Sequence, residues 1–210
     1  LDYLGESVST IKAATAASRE YVQLMETIVA SGIERNISLK LTQLGLDLSR
    51  ELCVSNLRQI LERAQALNAF VRIDMESSAY TQRTLDVHEE LWSAGFHNVG
   101  IVLQASLKRT ISDVGDLADL RPNVRLCKGI YVESHDIQFR DFRAVQNSFV
   151  GALEALFDSG CYVGIATHDR WLVDQGRRLV REHGLERDEY EFQMLLGVRP
   201  ELGDELVDEG

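Results

Sequence analysis

Tyr162-Val-Gly-Ile-Ala-Thr-His-Asp-Arg-Trp-Leu-Val-Asp-Gln-Gly-Arg-Arg-Leu-Val-Arg-Glu-His-Gly184 decides how the 210-residue chain is to be read. Its first five residues, Tyr162 to Ala166, form a short apolar run with β character. Thr167, His168 and Asp169 end that run on polar groups. Leu172, Val173, Gly176 and Leu179 then recur at helical spacing, and Gly184 follows. Glycine adopts the left-handed backbone that stops a helix without a Cβ penalty, so the helix should end there. One strand, one polar junction and one helix make a β/α unit.

The unit repeats outward in both directions. Further β runs lie at Ile37–Leu41, Phe70–Ile73, Val99–Leu103, Val124–Cys127 and Tyr190–Leu195, and Leu1–Leu4 is a candidate for another. Helical periodicity joins Ala14, Ala17, Tyr21, Leu24 and Ile28 before Gly32. It recurs in Cys53, Leu57, Ile60, Ala64 and Leu67, around Leu85 and Leu91 before Gly95, and in Phe142, Val145, Phe149, Ala152 and Leu156 before Gly160. A helix after each strand supplies a crossover, which predicts parallel strands. Seven such units in one uninterrupted domain, residues 1–210, favour a (β/α)₈ barrel, with an open doubly wound sheet as the alternative. No G-x-G-x-x-G follows any strand to favour the latter.

A hydrophobic content of 45% with 26% charged residues is ordinary globular composition. No run of about 18 apolar residues occurs. A net charge of −11 argues against nucleic acid and against docking on an anionic membrane through a basic patch. Cys53, Cys127 and Cys161 are odd in number and widely spaced, as expected of separate thiols in a reducing compartment. The five histidines show no metal-ligand spacing, so no metal site is expected.

In a barrel, the C-terminal strand ends converge on the catalytic face. This chain places Glu6, Lys40, Thr42, Asp74, Glu76, Gln104, Arg125, Lys128, Thr167, His168, Asp169 and Gln193 at or just past such ends. Three chemistries compete for them. Asp74 and Glu76 could serve as a carboxylate pair, although they come from one strand about 7 Å apart on the same side. Lys40 or Lys128 could form a Schiff base. Arg125, Lys128 and the amides near Gly129 could bind an anionic cofactor. Composition alone leaves these open.

The ordered motifs go further. Ser38-Leu-Lys-Leu-Thr-Gln-Leu-Gly45, Ile73-Asp-Met-Glu76, Val102-Leu-Gln-Ala105 with Lys108-Arg109, Val124-Arg-Leu-Cys-Lys-Gly-Ile-Tyr131, Ala166-Thr-His-Asp169 and Tyr190-Glu-Phe-Gln-Met-Leu-Leu-Gly197 resemble proline dehydrogenase in order and spacing. Leu1-Asp-Tyr-Leu-Gly-Glu6 is similar to the family's first-strand motif. The resemblance implies a distorted (β/α)₈ barrel that oxidises L-proline to Δ1-pyrroline-5-carboxylate. It implies FAD as the cofactor, held non-covalently because no Cys or His sits in a flavin-linking motif. It further implies a quinone electron acceptor and pyrroline-5-carboxylate dehydrogenase as a partner. The expected location is the cytoplasm, with at most peripheral contact at the inner face of a membrane.

Site roles follow from the same resemblance. Arg125 is expected near the flavin N5, and Gln104 at the ring. Lys128, Gly129, Ile130, Thr167 and His168 are expected to contact the cofactor, as is Met75 through its backbone. Lys40 is expected to bind the substrate carboxylate. Asp74 should hold the carboxylate-binding cations, Tyr131 should pack beside the proline ring, and Leu195 should form an apolar wall. The bland counterparts are an Arg125 ion pair with Asp74 or Glu76, a His168–Asp169 loop cap, and Leu195 in the core. Two departures are mild: Ile130 where alanine is common, and Ser106 where tyrosine is frequent. The family's eighth strand and a final helix carrying an Arg-Arg carboxylate clamp are expected to be missing. The alternative function is therefore a flavin-binding barrel fragment without substrate competence. Arg177-Arg178 is expected on a solvated helix face.

Overall fold

The computed structural model describes residue 5 and residues 7–209. The strand expected at Leu1–Leu4, and Glu6, lie outside these described residues. Helix and strand alternate throughout: α1 (Ile11–Ser31), β1 (Asn36–Leu39), α2 (Arg50–Ala66), β2 (Phe70–Ile73), α3 (Ser78–Ser93), β3 (Val99–Gln104), α4 (Thr110–Leu117), β4 (Asn123–Cys127), α5 (Phe142–Asp158), β5 (Val163–Ala166), α6 (Arg170–His183), β6 (Tyr190–Gln193) and α7 (Pro200–Glu209). The chain divides into two compact units, Leu1–Ile101 and Val102–Gly210, with the division inside β3.

In the first unit, β1, β2 and the start of β3 pair in parallel, Ile37 opposite Val71 and Val71 opposite Val99. Ile37, Leu39, Val71, Ile73, Val99 and Ile101 are all buried. α1 and α2 are amphipathic in the expected register, burying Ala14, Ala17, Tyr21, Met25 and Ile28 on one and Cys53, Leu57, Ile60 and Ala64 on the other. Thr10 and Ser49 cap their N-termini, each hydroxyl accepting a backbone N–H at 3.2 Å. Gly32 ends α1 in the left-handed conformation, φ +73°. The strand expected over Ile37–Leu41 ends at Leu39, because Leu41 to Leu48 fold into successive turns. Burial drives the thiol of Cys53 up to about 12, which makes it an inert core group.

Arg72 and His88 are among the buried polar side chains of this unit. Arg72 is fully buried on β2, where its Nη1 donates to the Ile101 carbonyl at 3.2 Å and its guanidinium lies 4.9 Å from the Phe70 ring centroid. His88 on α3 is also fully buried, its ring 5.6 Å from that of Trp92. Burial pushes the His88 pKa down to about 4, and the Arg72 charge acts in the same direction.

The second unit carries β4, β5 and β6 in parallel, with Val124 opposite Val163 and Val163 opposite Tyr190. Past the end of β3 the backbone stays bonded to the β4 end: Ala105 N–H donates to Cys127 O and Ser106 N–H to Lys128 O, both at 2.8 Å. Phe149, Ala152, Leu153 and Leu156 of α5 and Leu172, Val173 and Leu179 of α6 are buried. Gly176 brings α6 close to the strands, since a Cβ there would lie 3.1 Å from the Phe192 ring and 3.3 Å from Ile165 Cδ1. The run expected to be strand as far as Leu195 stops at Gln193.

Candidate functional site

At the C-terminal ends of the first unit's strands stand Lys40, one residue beyond β1, and Asp74, one residue beyond β2. The Asp74 N–H donates to the Leu39 carbonyl at 2.8 Å, extending the ladder so that both residues leave neighbouring strands at matching height. Met75 is buried. Glu76 accepts the Thr42 backbone N–H at 3.2 Å on one carboxylate oxygen and the Thr42 hydroxyl at 2.6 Å on the other. The same Thr42 oxygen accepts the Ser7 N–H at 3.2 Å. Glu76 therefore anchors the β1–α2 loop next to Lys40, which removes it from a catalytic carboxylate pair.

In the second unit, Gln104, Arg125, Lys128, Thr167 and His168 stand at or near the ends of β3, β4 and β5. Arg125 lies opposite Gly164, which leaves room above β5. Gln193 from β6 fills that room: a Cβ on Gly164 would fall 2.7 Å from its Nε2. Gln193 Oε1 accepts Arg125 Nε–H at 2.5 Å, while its Nε2 donates to Glu191 Oε1 at 2.5 Å. A glycine on one strand thus lets an amide on the next orient an arginine on the third.

The β4–α5 junction turns sharply at Gly129, φ +98°. A Cβ at this position would lie 2.6 Å from Ser106 Oγ and 2.9 Å from Gln104 Oε1, so only glycine fits both the dihedral and the space. Lys128 projects its ammonium to Asp169 Oδ2 at 3.2 Å and lies 5.3 Å from the Phe142 ring centroid. Asp169 also accepts Gln146 Nε2–H at 2.9 Å and caps α6 by accepting the Trp171 N–H at 3.1 Å. Burial raises the Asp169 carboxyl, but the bonds from Gln146 and Lys128 outweigh it and hold the pKa below the ordinary carboxylate value. Asp169 is committed to these partners and not to His168, against the loop-cap alternative.

His168 Nε2 accepts the Leu195 backbone N–H at 2.8 Å, tying the end of β5 to the segment after β6. Thr167 is buried, and its hydroxyl oxygen accepts the Asp169 N–H at 3.2 Å. Leu195 itself is 69% exposed, which corrects its placement in the core; beyond β6 the chain has left the packed layer. Ile130 is 87% exposed, and Tyr131 beside it is half-buried. Arg177 corrects another expectation. Its side chain is mostly buried against α7, paired with Glu205 at 3.1 Å, Glu209 at 2.8 Å and Asp174 at 3.2 Å, whereas Arg178 keeps the expected solvated position. Among the described residues no His, Cys, Asp and Glu cluster could hold a metal ion, and no helix is long and apolar enough to cross a membrane.

The proline dehydrogenase family model matches residues 1–210. The chain belongs to the proline dehydrogenase family. It is 38% identical to proline dehydrogenase 1 of Bacillus subtilis (strain 168) over 210 residues, a match that takes in all of this chain and 69% of the relative. It is 34% identical to the proline dehydrogenase of Deinococcus radiodurans over 214 residues, again with 69% of the relative covered. Among solved structures, proline utilization A from Bdellovibrio bacteriovorus, inactivated by N-propargylglycine, aligns with a TM-score of 0.90 at 22% identity. That alignment covers 99% of this chain and 26% of the other. Proline utilization A from Bradyrhizobium japonicum gives a TM-score of 0.87 at 22% identity, covering all of this chain and 25% of that one. The fold class is thus the α/β barrel class expected from the sequence.

Proposed function

We propose that the protein oxidises L-proline to Δ1-pyrroline-5-carboxylate with non-covalently bound FAD and a quinone as final electron acceptor. The observation that carries this proposal is the donor set of the second unit: the Gln104 amide, the Arg125 guanidinium, the Lys128 ammonium and the Gly129 turn, on consecutive strand ends. Hydrogen-bond donors and cations in that arrangement fit a cofactor with an electron-poor ring and an anionic pyrophosphate. When bound, FAD supplies the two-electron, hydride-accepting chemistry.

The chain's own residues bind, orient and tune. Arg125, held at Nε by Gln193, places positive charge where negative charge grows on reduction. Gln104 offers its amide to the ring from beside Gly129. Lys128, Ile130, Thr167 and His168 line the cofactor's path, and Met75 contributes its backbone. In the first unit, Lys40 takes the proline carboxylate and Asp74 orients the cations that share it. Tyr131 covers the saturated ring, and Leu195, exposed on the segment that His168 ties down, supplies apolar surface toward the substrate. The product is an imine, which a pyrroline-5-carboxylate dehydrogenase would consume. A cytoplasmic protein touching the inner face of a membrane peripherally would reach a membrane quinone.

An absorbance spectrum tests the proposal. Purified protein should carry a flavin spectrum that bleaches on addition of L-proline, and acid precipitation should leave the yellow chromophore in the supernatant. A flavin spectrum that proline does not bleach would refute proline oxidation, and colour retained in the pellet would refute non-covalent binding.

A further inference from the structure

The segment that follows Lys128 is fastened by one side chain that the roles above do not use. Gln138 is buried, 9% exposed, and uses both ends of its carboxamide on that segment. Its Oε1 accepts the Glu133 backbone N–H at 3.0 Å. Its Nε2 donates to the Tyr131 carbonyl at 2.8 Å and to Ser106 Oγ at 3.0 Å. Ser106 Oγ is the atom that meets the backbone of Gly129, 2.6 Å from where a Cβ would stand. Gln138 is itself held in place: Leu107 and Gln138 form an antiparallel bridge, Lys108 N–H donates to Ile137 O at 2.9 Å, and Phe139 N–H donates to Ser106 O at 2.8 Å. Residues 137–139 thus run back along 106–108 as a strap, and one amide reaches from the strap to the turn.

We propose that Gln138 is a positioning residue that sets the backbone of Gly129, Ile130 and Tyr131, and through it the placement of cofactor and substrate. The inference rests on the proposed function for its kinetic consequence but not for its geometry. Gln138 faces one N–H donor and two acceptors, and a carboxamide is the neutral group that answers all three. A carboxylate of the same shape would still accept from Glu133 but would set a second oxygen against the Tyr131 carbonyl, replacing a hydrogen bond with a repulsion. Protonation of the carboxylate would return one O–H donor. Gln138→Glu is therefore a substitution whose defect should depend on pH.

The test uses Gln138→Glu and Ser106→Ala beside the parent protein. Amide hydrogen exchange read over residues 129–133 should quicken at least tenfold in Gln138→Glu at pH 8 and slow again relative to parent near pH 5. Ser106→Ala removes one acceptor only and should give a smaller change in the same residues. In steady-state assays Gln138→Glu should raise the proline KM and lower kcat/KM about tenfold at pH 8, with partial recovery relative to parent at lower pH. Unchanged exchange in both variants overturns the clamp. Quickened exchange with parent-like kcat/KM at every pH overturns the positioning role. Should Gln138→Glu fail to fold, exchange at 129–133 in Ser106→Ala decides the clamp, and its KM against kcat decides the positioning role. A parent protein whose flavin is not reduced by proline would refute the proposed function, while the exchange data would still judge the clamp.

Discussion

Gly129→Ala should damage the β4–α5 turn, proposed to hold the flavin, more than any other single methyl addition in the chain's second half. The backbone at this position has φ +98°, where an L side chain costs about 1–2 kcal/mol relative to glycine. The added Cβ would also sit 2.6 Å from Ser106 Oγ and 2.9 Å from Gln104 Oε1, well inside contact distance. Ser106 can relieve the clash only by rotating its hydroxyl away from Gln138 Nε2, to which it is bonded at 3.0 Å. Losing that buried bond costs about 1 kcal/mol more. Gln104 must move as well, and it is the amide assigned to the flavin ring. The sum is about 2–3 kcal/mol, expressed either as lower global stability or as a flavin affinity weakened by roughly one and a half to two orders of magnitude.

Two measurements separate those outcomes. Urea denaturation followed by tryptophan fluorescence reads global stability, and titration of the flavin-stripped protein with FAD reads affinity. The paired substitution Ser106→Ala removes the closest clashing atom but not the dihedral strain; because the Gln138 bond it deletes is already lost in Gly129→Ala, the two substitutions should be less than additive by about 1 kcal/mol. A Gly129→Ala protein with parent stability and parent FAD affinity would refute the reasoning outright. Full rescue by Ser106→Ala would refute the strain half of it.

The remaining predictions concern charge. Lys40→Ala should weaken carboxylate-bearing proline analogues by roughly ten- to a hundredfold while flavin content stays intact, because a charge-assisted hydrogen bond is worth about 1.5–3 kcal/mol; equal binding in a titration monitored by flavin absorbance would remove Lys40 from the site. Arg125→Ala should lower the flavin reduction potential and slow reduction by proline, and an unchanged potential in a dye-equilibration assay would end its assignment. His88 is buried neutral with its pKa lowered from 6.5 to about 4, so the unfolded chain binds the extra proton first and stability falls on acidification between about pH 6.5 and pH 4. The loss should reach about 3 kcal/mol. His88→Leu should flatten the pH dependence of the urea midpoint across that window, and an unaltered slope would locate the acid sensitivity elsewhere.

Much of the architecture was legible because it rests on local signals. The strand at Phe70–Ile73 falls where its β-rich run predicted, and Gly32, Gly95, Gly160 and Gly184 all adopt positive φ at helix ends. Helix α4 gave no periodic signal of its own, since its eight residues hold little more than two turns. The candidate residues were legible through the order of their motifs, but their partners were not. Lys128 and Asp169 are 41 residues apart, Arg125 and Gln193 are 68 apart, and Ser106 and Gln138 are 32 apart. No periodicity links such pairs; the first two meet because parallel strands bring their C-terminal ends together, and the third because residues 137–139 run back antiparallel along 106–108. Arg177 was misjudged for a related reason. Its burial depends on α7 packing against α6 and presenting Glu205 and Glu209 to it.

These partnerships divide the labour of the strand ends in a consistent way. Neutral carboxamides do the holding around the second unit's candidate cofactor residues: Gln193 on Arg125, Gln146 on Asp169, and Gln138 on Tyr131 and Ser106. An amide can fix a cation or a carbonyl in direction without cancelling charge, whereas a carboxylate in the same place would neutralise the cation it oriented. On β4, Arg125 Nε is held by the amide oxygen of Gln193, whose Nε2 donates to Glu191. Lys128 is the contrast, because Asp169 pairs with it directly and is held ionised by that pairing and by Gln146. Gln193 thus orients Arg125 at Nε and Asp169 orients Lys128 at its ammonium, an amide in one case and a carboxylate in the other.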